Sequence, residues 1–175
     1  GEGSPSVASD SMASALREEF MPMRKLIASD DAEGMRERLD TDPRLLHLAT
    51  PLGGWLHMAA SSGATRCAEE LLRRGVDVNG RYDSQLGGAL NEAANSGDLE
   101  MVNLLLASGA VPDTSHTDVN PVFSAIRAER TDIAERLVDA GLDPHVEYQK
   151  GWTAARYAEE QGKAEMARFV RELGS

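Results

Sequence analysis

LGGALNEAANSGDLEMVNLLLASGA, residues 86–110, admits two readings. A Gly-Gly pair ahead of a helix-like run is one way to build a phosphate cradle, and it is equally the punctuation of a structural repeat. An anion cradle needs lysine and serine or threonine in the first helical turn after the glycines. Here Ala89, Leu90, Asn91 and Glu92 follow, and the Glu92 carboxylate would repel phosphate. Gly87-Gly88 therefore reads as a loop entering a helix.

The rest of the stretch supplies a template: Leu90-x-x-Ala93, Gly97, Met101-Val102, Leu105-Leu106, Gly109. The same offsets recur upstream as Leu56-x-x-Ala59, Gly63, Cys67-Ala68, Leu71-Leu72, Gly75. Downstream they give Val122-x-x-Ala125, Glu129, Ile133-Ala134, Leu137-Val138, Gly141, then Ala155-x-x-Ala158, Gly162, Met166-Ala167, Val170, Gly174. Successive anchors lie 34, 32 and 33 residues apart, and a further step of 33 back reaches a degenerate copy at Met23-x-x-Leu26, Asp30, Met35, Leu39.

Each copy divides into a short Ala-bearing helix, a Gly-centred turn, a longer amphipathic helix ending at glycine, and a polar loop. Gly97 can take the positive φ needed to leave the first helix, after which Leu99, Met101, Val102, Leu105 and Leu106 fall on one stripe. The alanines at 59, 93, 125 and 158 let two helix layers approach closely. One such unit cannot bury its apolar face alone, so the chain is expected to be an all-α solenoid of about five stacked helix-turn-helix units, with short finger loops and no real sheet.

On these residues the chain resembles the ankyrin-repeat family, whose unit of roughly 33 residues is a β-turn followed by two helices. WLHMAASSGATRCAEELLRRGVDVN, residues 55–79, carries the family's Leu-His-x-Ala-Ala, central Gly, Leu-Leu and Gly-x-Asp-x-Asn pattern. The resemblance covers residues 23–174. The family's Thr-Pro-Leu-His becomes GWLH, GALN, NPVF and TAAR, so its hydrogen-bonding histidine survives only as His57. Arg38 and Arg171 stand in the first and last copies at or beside the first Leu-Leu position, as capping units facing water would have them.

The expected organisation is a polar tail over 1–12, in GEGSPSVASDS and Met12, followed by one domain over 13–175. Its capping unit spans 13–50, with units over about 51–83, 84–115 and 116–148 and a C-terminal capping unit over 149–175. Met12 is a candidate natural start. Aromatics are only 5% of the chain, so burial must rely on Leu, Ala, Val and Met, which suits closely stacked helices. The net charge of −11 opposes binding to nucleic acid or an anionic membrane and suits a basic protein partner. A single cysteine and the absence of a leader or membrane-length apolar run lead us to expect a cytoplasmic protein, monomeric when unbound.

Little in the sequence suggests chemistry. His47, His57, His116 and His145 form no i, i+4 pair, and no metal or cofactor is expected. His57 and His145 are expected in structural turn positions, and His116 is the freest. Cys67 aligns with Met101, Ile133 and Met166, an inward apolar position, and reads as a small buried hydrophobe. The carboxylate pairs Asp30-Asp31, Glu69-Glu70 and Glu159-Glu160 have no defined cleft. Glu69–Arg73, Glu70–Arg74 and Asp132–Arg136 are acid-before-base i, i+4 pairs, which mark a solvated outer face. No catalytic residue is assigned.

The resemblance implies protein recognition through the concave face and the finger loops. The first-helix positions before the central turn differ from copy to copy: Ser61-Ser62, Asn95-Ser96, Arg127-Ala128, Glu160-Gln161. The loops carry the rarer residues: Trp55, then Tyr82, Asp83 and Gln85, then His116 and Asp118, then Tyr148, Gln149 and Trp152. Trp and Tyr are common interface anchors, although Trp55 and Trp152 could instead pack between neighbouring fingers. The finger between Asn79 and Leu90 is the longest, which places its YDSQ tip furthest out. The candidate contacts are thus Trp55, Ser61, Ser62, Tyr82, Asp83, Gln85, Asn95, Ser96, His116, Asp118, Arg127, Tyr148, Gln149 and Trp152. Two alternatives stand beside a general protein-binding module: an acidic inhibitor or immunity protein that neutralises a basic toxin or enzyme, and a small-ligand or enzymatic site on the concave face.

Overall fold

The helix pairs expected from the repeat are present in the computed structural model, which describes residues 7–48, 50, 53–81 and 87–174, with side chains from residue 13 onward except those of 15 and 16. The first helices of the pairs are α1 (Val7–Ala28), α3 (Trp55–Ser62), α5 (Ala89–Asn95), α7 (Pro121–Arg127) and α9 (Ala154–Glu160). The second helices are α2 (Ala32–Thr41), α4 (Thr65–Arg73), α6 (Leu99–Ala107), α8 (Thr131–Asp139) and α10 (Ala164–Glu172). Among the described residues extended pairing is confined to isolated bridges, Thr50 with Gly53 and Tyr148 with Trp152. The helix α1 starts at Val7, so residues 7–12 are helical, not the tail read from their small polar composition.

Local chemistry sets the helix boundaries. Asp31, Asp98, Asn120 and Thr153 cap α2, α6, α7 and α9 by accepting a backbone N–H of the first turn, and Pro121 adds its preset φ at the start of α7. Between the two helices of a pair the chain needs a left-handed residue. Gly63, Gly97 and Gly162 supply it at φ +70°, +68° and +74°, but Asp30 and Glu129 hold the same turn at +52° and +54°.

Two layers result. First helices pack on first helices, α1 on α3, α3 on α5, α5 on α7 and α7 on α9, while α2, α4, α6, α8 and α10 make a parallel row behind them. The template alanines at 59, 93, 125 and 158 are fully buried where the layers meet, with Met101, Leu105, Ile133 and Leu137 opposite them. Helices that touch through alanine come to the short end of the usual 8–10 Å spacing. One apolar cluster runs unbroken from Met23 to Val170, as a stack requires when no unit closes its own core.

Polar groups tie each unit to the next. The Asn79 side chain donates to the Gly109 carbonyl and accepts the Val111 N–H, at 3.1 and 2.8 Å. His145, in the equivalent loop position, reaches the Leu173 carbonyl with Nε2 at 2.8 Å. His57 is buried and hydrogen-bonds to the backbone of Gly87, and its burial pushes the imidazole pKa down. Cys67 is buried, and its thiol is pushed up to about 12 by burial first and then by Asp30, which makes it an inert core residue.

The outer-face ion pairs differ from the expectation. Glu70 is only 4% exposed and gathers Arg36, Arg73 and Arg74, so it is a buried junction between α2 and α4 instead of a solvated pair. Asp132 pairs with Arg130 at 2.7 Å, while Arg136 turns to Asn103. Glu70 keeps its i, i+4 partner Arg74 and adds Arg36 from one unit back, whereas Asp132 is taken by Arg130 two residues before it and Arg136 is drawn to Asn103 one unit back.

Candidate functional site

The face of the first helices turned away from the second row can be identified from α5. Ala89, Leu90, Asn91, Ala93 and Ala94 are buried, which leaves Glu92, Asn95 and Ser96 on a single arc at helical spacing. The equivalent arcs are Met58, Ser61 and Ser62 on α3, Ser124, Arg127 and Ala128 at α7, and Tyr157, Glu160 and Gln161 at α9. We call this strip the inner face. It is continuous: the Ser96 hydroxyl donates to the Ser61 carbonyl at 3.2 Å, and Arg127 donates to Asn95 Oδ1 and to Ser124 Oγ, at 3.4 and 2.8 Å. Ser124 in turn donates to Asn91 Oδ1 at 2.6 Å. Five sequence-derived candidates, Ser61, Ser62, Asn95, Ser96 and Arg127, are therefore exposed together on one surface.

The finger candidates divide. His116 and Asp118 are exposed, and their carbonyls accept from Asn120 N–H and the Asn91 amide, so the loop backbone is fixed while both side chains face outward. Gln149 is exposed on a 3-10 turn, Gln149–Gly151. Tyr148 is half-buried, and its hydroxyl donates to the Thr114 carbonyl and accepts from Asn120 Nδ2, which braces one finger against the next. Trp152 is half-buried, with the Arg156 guanidinium 5.4 Å above its ring. Tyr82, Asp83 and Gln85, with the YDSQ tip, lie outside the described residues.

Trp55 is a correction. It is 1% exposed, its Nε1 donates to the Leu45 carbonyl at 2.6 Å, and its ring lies 6.3 Å from Phe20. It closes the junction between the capping unit and α3 and presents no surface to a partner.

The structure also brings forward residues that sequence reasoning passed over. Tyr157 lies in the inner-face arc of α9, 5.3 Å from the Phe123 ring and 6.4 Å from Trp152. With Tyr148 these make an aromatic cluster in a chain poor in aromatics. Arg156, over Trp152, lies 3.5 Å from Glu160. Glu92 is half-buried in the inner face, has no hydrogen bond or ion pair from its carboxylate among the described residues, and has its pKa raised by burial. The signal for both was their place in the template, at the variable position just before the second anchor alanine.

A groove of about 680 Å³ lies between the second and third loops, walled by Val78, Leu90, Val111, Pro112, Val119 and Pro121. An Arg81–Asp113 ion pair sits in its lining. Val111 is 70% exposed. Gly88 and Asn91 line the groove, and at Gly87 a Cβ would fall on the Asn91 side chain. Among the described residues no three His, Cys, Asp or Glu side chains gather as a metal-holding group, and no helix is long and apolar enough to cross a membrane.

Comparison with known proteins bears on this architecture. A family model described as ankyrin repeats (3 copies) matches residues 40–118 and 90–175. Mouse ankyrin repeat and SOCS box protein 14 is 35% identical over 96 residues, taking in 50% of this chain and 16% of that protein. The chicken nuclear factor NF-kappa-B p105 subunit is 31% identical over 94 residues, 53% of this chain and 10% of that one. A putative ankyrin repeat-containing protein of Treponema pallidum is 30% identical over 104 residues, 59% and 35%. This chain thus matches about a third or less of the length of these relatives. The crystal structure of the human ASB11 ankyrin repeat domain has a TM-score of 0.74 over 88% of this chain and 69% of its own, at 22% identity, a likeness of fold. Domains of this kind generally serve as non-catalytic protein-interaction modules. With the repeat register, the two-layer stack and the family match in agreement, the chain belongs to the ankyrin-repeat family.

Proposed function

We propose that this chain is a non-catalytic module that grips a partner protein with its inner, concave-side face and its finger loops. The observation that carries the reading is the contrast within each first helix. The buried positions repeat as alanine and aliphatic residues, whereas the exposed arc changes from Ser61-Ser62 to Asn95-Ser96, Arg127-Ala128 and Glu160-Gln161. Stacking demands the first set and leaves the second free to be matched to a partner. Residues 13–175 act as one domain, bounded by capping units at 13–50 and 149–175. A cytoplasmic setting fits a single buried thiol, and the unbound state is read as monomeric.

The net charge of −11 favours a finer reading, an inhibitor or immunity protein steered onto a basic toxin or enzyme. The test for both is affinity capture from native lysate at two salt concentrations, with wild type and a Tyr82→Ala/Asp83→Ala variant. The module reading predicts a partner that the finger variant retains less well. The inhibitor reading adds that the partner is basic and that its affinity falls steeply with salt. Salt-insensitive binding would remove the inhibitor reading, and saturable thermal stabilisation by a metabolite in place of any protein partner would remove both.

A further inference from the structure

We infer that the inner face between α5 and α9 receives a basic segment of the partner, with Glu92 accepting a lysine or arginine side chain and Tyr157 lying beneath the residues that follow. The inference rests on the protein-binding reading and narrows it to one chemistry.

Glu92 is the starting point. A half-buried carboxylate with no hydrogen bond or ion pair among the described residues has given up hydration without compensation, and a cation brought to it restores the lost interaction. Its neighbours do not supply that cation. Along the same strip the Arg127 guanidinium is held by Asn95 and Ser124, and the Lys163 ammonium by the carbonyls of Ile126 and Arg127, both at 3.2 Å. Arg156 is held over Trp152 beside Glu160, and Arg81 is held by Asp113. Lys150, on the fourth finger, is exposed. Arg127, Lys163, Arg156 and Arg81 are thus each held within the chain while Glu92 has no partner among the described residues, and the strip offers a negative field to an approaching segment.

The aromatic end fits the same occupant. Tyr157 is half-exposed, is backed by Phe123 and stands beside Trp152, so its ring is rigidly supported. Arg156 shows within the chain what the neighbouring ring accepts: a guanidinium over an aromatic face with a carboxylate at its edge. Two helix spacings separate α5 from α9, roughly 16 Å at the short end of the usual interaxial distance. An extended segment covers that span in about five residues. The charge that attracts a cationic peptide also excludes nucleic acid and anionic membrane from the same face.

The test uses the whole chain as bait for a displayed library of random dodecapeptides, followed by calorimetry on the selected peptides in synthetic form. Glu92→Gln keeps shape and removes charge, Glu135→Gln removes the same charge from the exposed side of α8, and Asn95→Trp blocks the strip. The expected peptides carry arginine or lysine, bind about tenfold more weakly to Glu92→Gln, change less than twofold with Glu135→Gln, and are lost with Asn95→Trp. Carboxyl NMR titration should show the Glu92 pKa falling when such a peptide is bound, which a purely structural residue would not show. Peptides without basic residues that are still lost with Asn95→Trp would overturn this inference and leave the protein-binding face standing. Selected peptides indifferent to Asn95→Trp, or no selected peptide at all, would count against both.

Discussion

The Asp30 carboxylate accepts the backbone N–H of Cys67 at 2.9 Å across 37 residues of sequence, and that of Arg66 at 3.2 Å. Asp30 thereby caps α4 from the preceding unit while standing in a left-handed conformation at φ +52°. The two roles oppose each other, since the side chain that caps is also the one that strains the turn. Asp30→Ala keeps the backbone strain and loses the cap, and should cost about 1–2 kcal/mol. Asp30→Gly loses the cap but relieves the strain, so its cost should be smaller. Urea denaturation of the two variants decides it, and a larger loss for glycine would show that the left-handed strain at this turn is smaller than the entropy glycine adds to the unfolded chain.

Glu129 holds the same turn at φ +54° without a comparable reward, being 71% exposed with Lys163 at 3.9 Å. Glycine occupies this position in three other units. Glu129→Gly should therefore stabilise the fold by about 0.5–1 kcal/mol. The melting temperature should rise, and an unchanged or lower value would mean that the Lys163 contact outweighs the strain.

Glu70 makes stability depend on acid. Hydrogen bonds from Arg73 first, opposed by burial, and then from Arg74 and Arg36, hold its carboxyl down at about 2 against the ordinary 4.5. The folded pKa is depressed, so the contribution is fully present above 4.5 and is lost as pH falls towards 2. Arg36 and Arg73 are largely solvent-exposed, which screens the interaction, and the contribution should be about 1–2 kcal/mol. Wild type should lose stability relative to Glu70→Gln between pH 5 and pH 2, a range that brackets the two values. Parallel stability curves for the two proteins across that interval would refute the assignment.

Val111 occupies a loop position where the neighbouring units place aspartate. Asp77 and Asp143 each close the loop by accepting the N–H two residues on, Asn79 at 2.9 Å and His145 at 2.8 Å. Val111 makes no such bond and is 70% exposed. Val111→Asp should add the missing acceptor at Asp113 N–H and stabilise the fold by about 0.5–1 kcal/mol. If the variant also weakens partner binding, the valine is retained for contact at the groove it lines; if binding is untouched, the groove is not part of the interface.

The repeat was legible because burial follows the helical period, so Ala59, Ala93, Ala125 and Ala158 announce the layer contact in any single unit. The anchoring of Glu70 was not, because Arg36 lies 34 residues back; the charge pattern discloses the bond only when it is laid on the same register as the apolar pattern. Trp55 was misread for a related reason. Its partners Leu45 and Phe20 belong to the degenerate capping unit, where the template gives no register for what packs on α3. Glu92 and Tyr157 sit at a position the template leaves variable, and a variable position shows its meaning only once its exposure is known.

The two tryptophans should separate cleanly under substitution. Trp55→Phe removes the indole donor to the Leu45 carbonyl, which keeps the Leu48 N–H, and leaves a void where the larger ring packed; together these should cost about 1–3 kcal/mol. Trp152→Phe keeps an aromatic ring beside Tyr157, gives up only part of the Arg156 stacking, and should cost under about 1 kcal/mol. Fluorescence offers an independent check. With Trp152 replaced, the remaining Trp55 emission should be blue-shifted and resistant to acrylamide quenching, as a side chain 1% exposed requires. Easily quenched Trp55 emission in the folded protein would return that residue to the list of surface contacts.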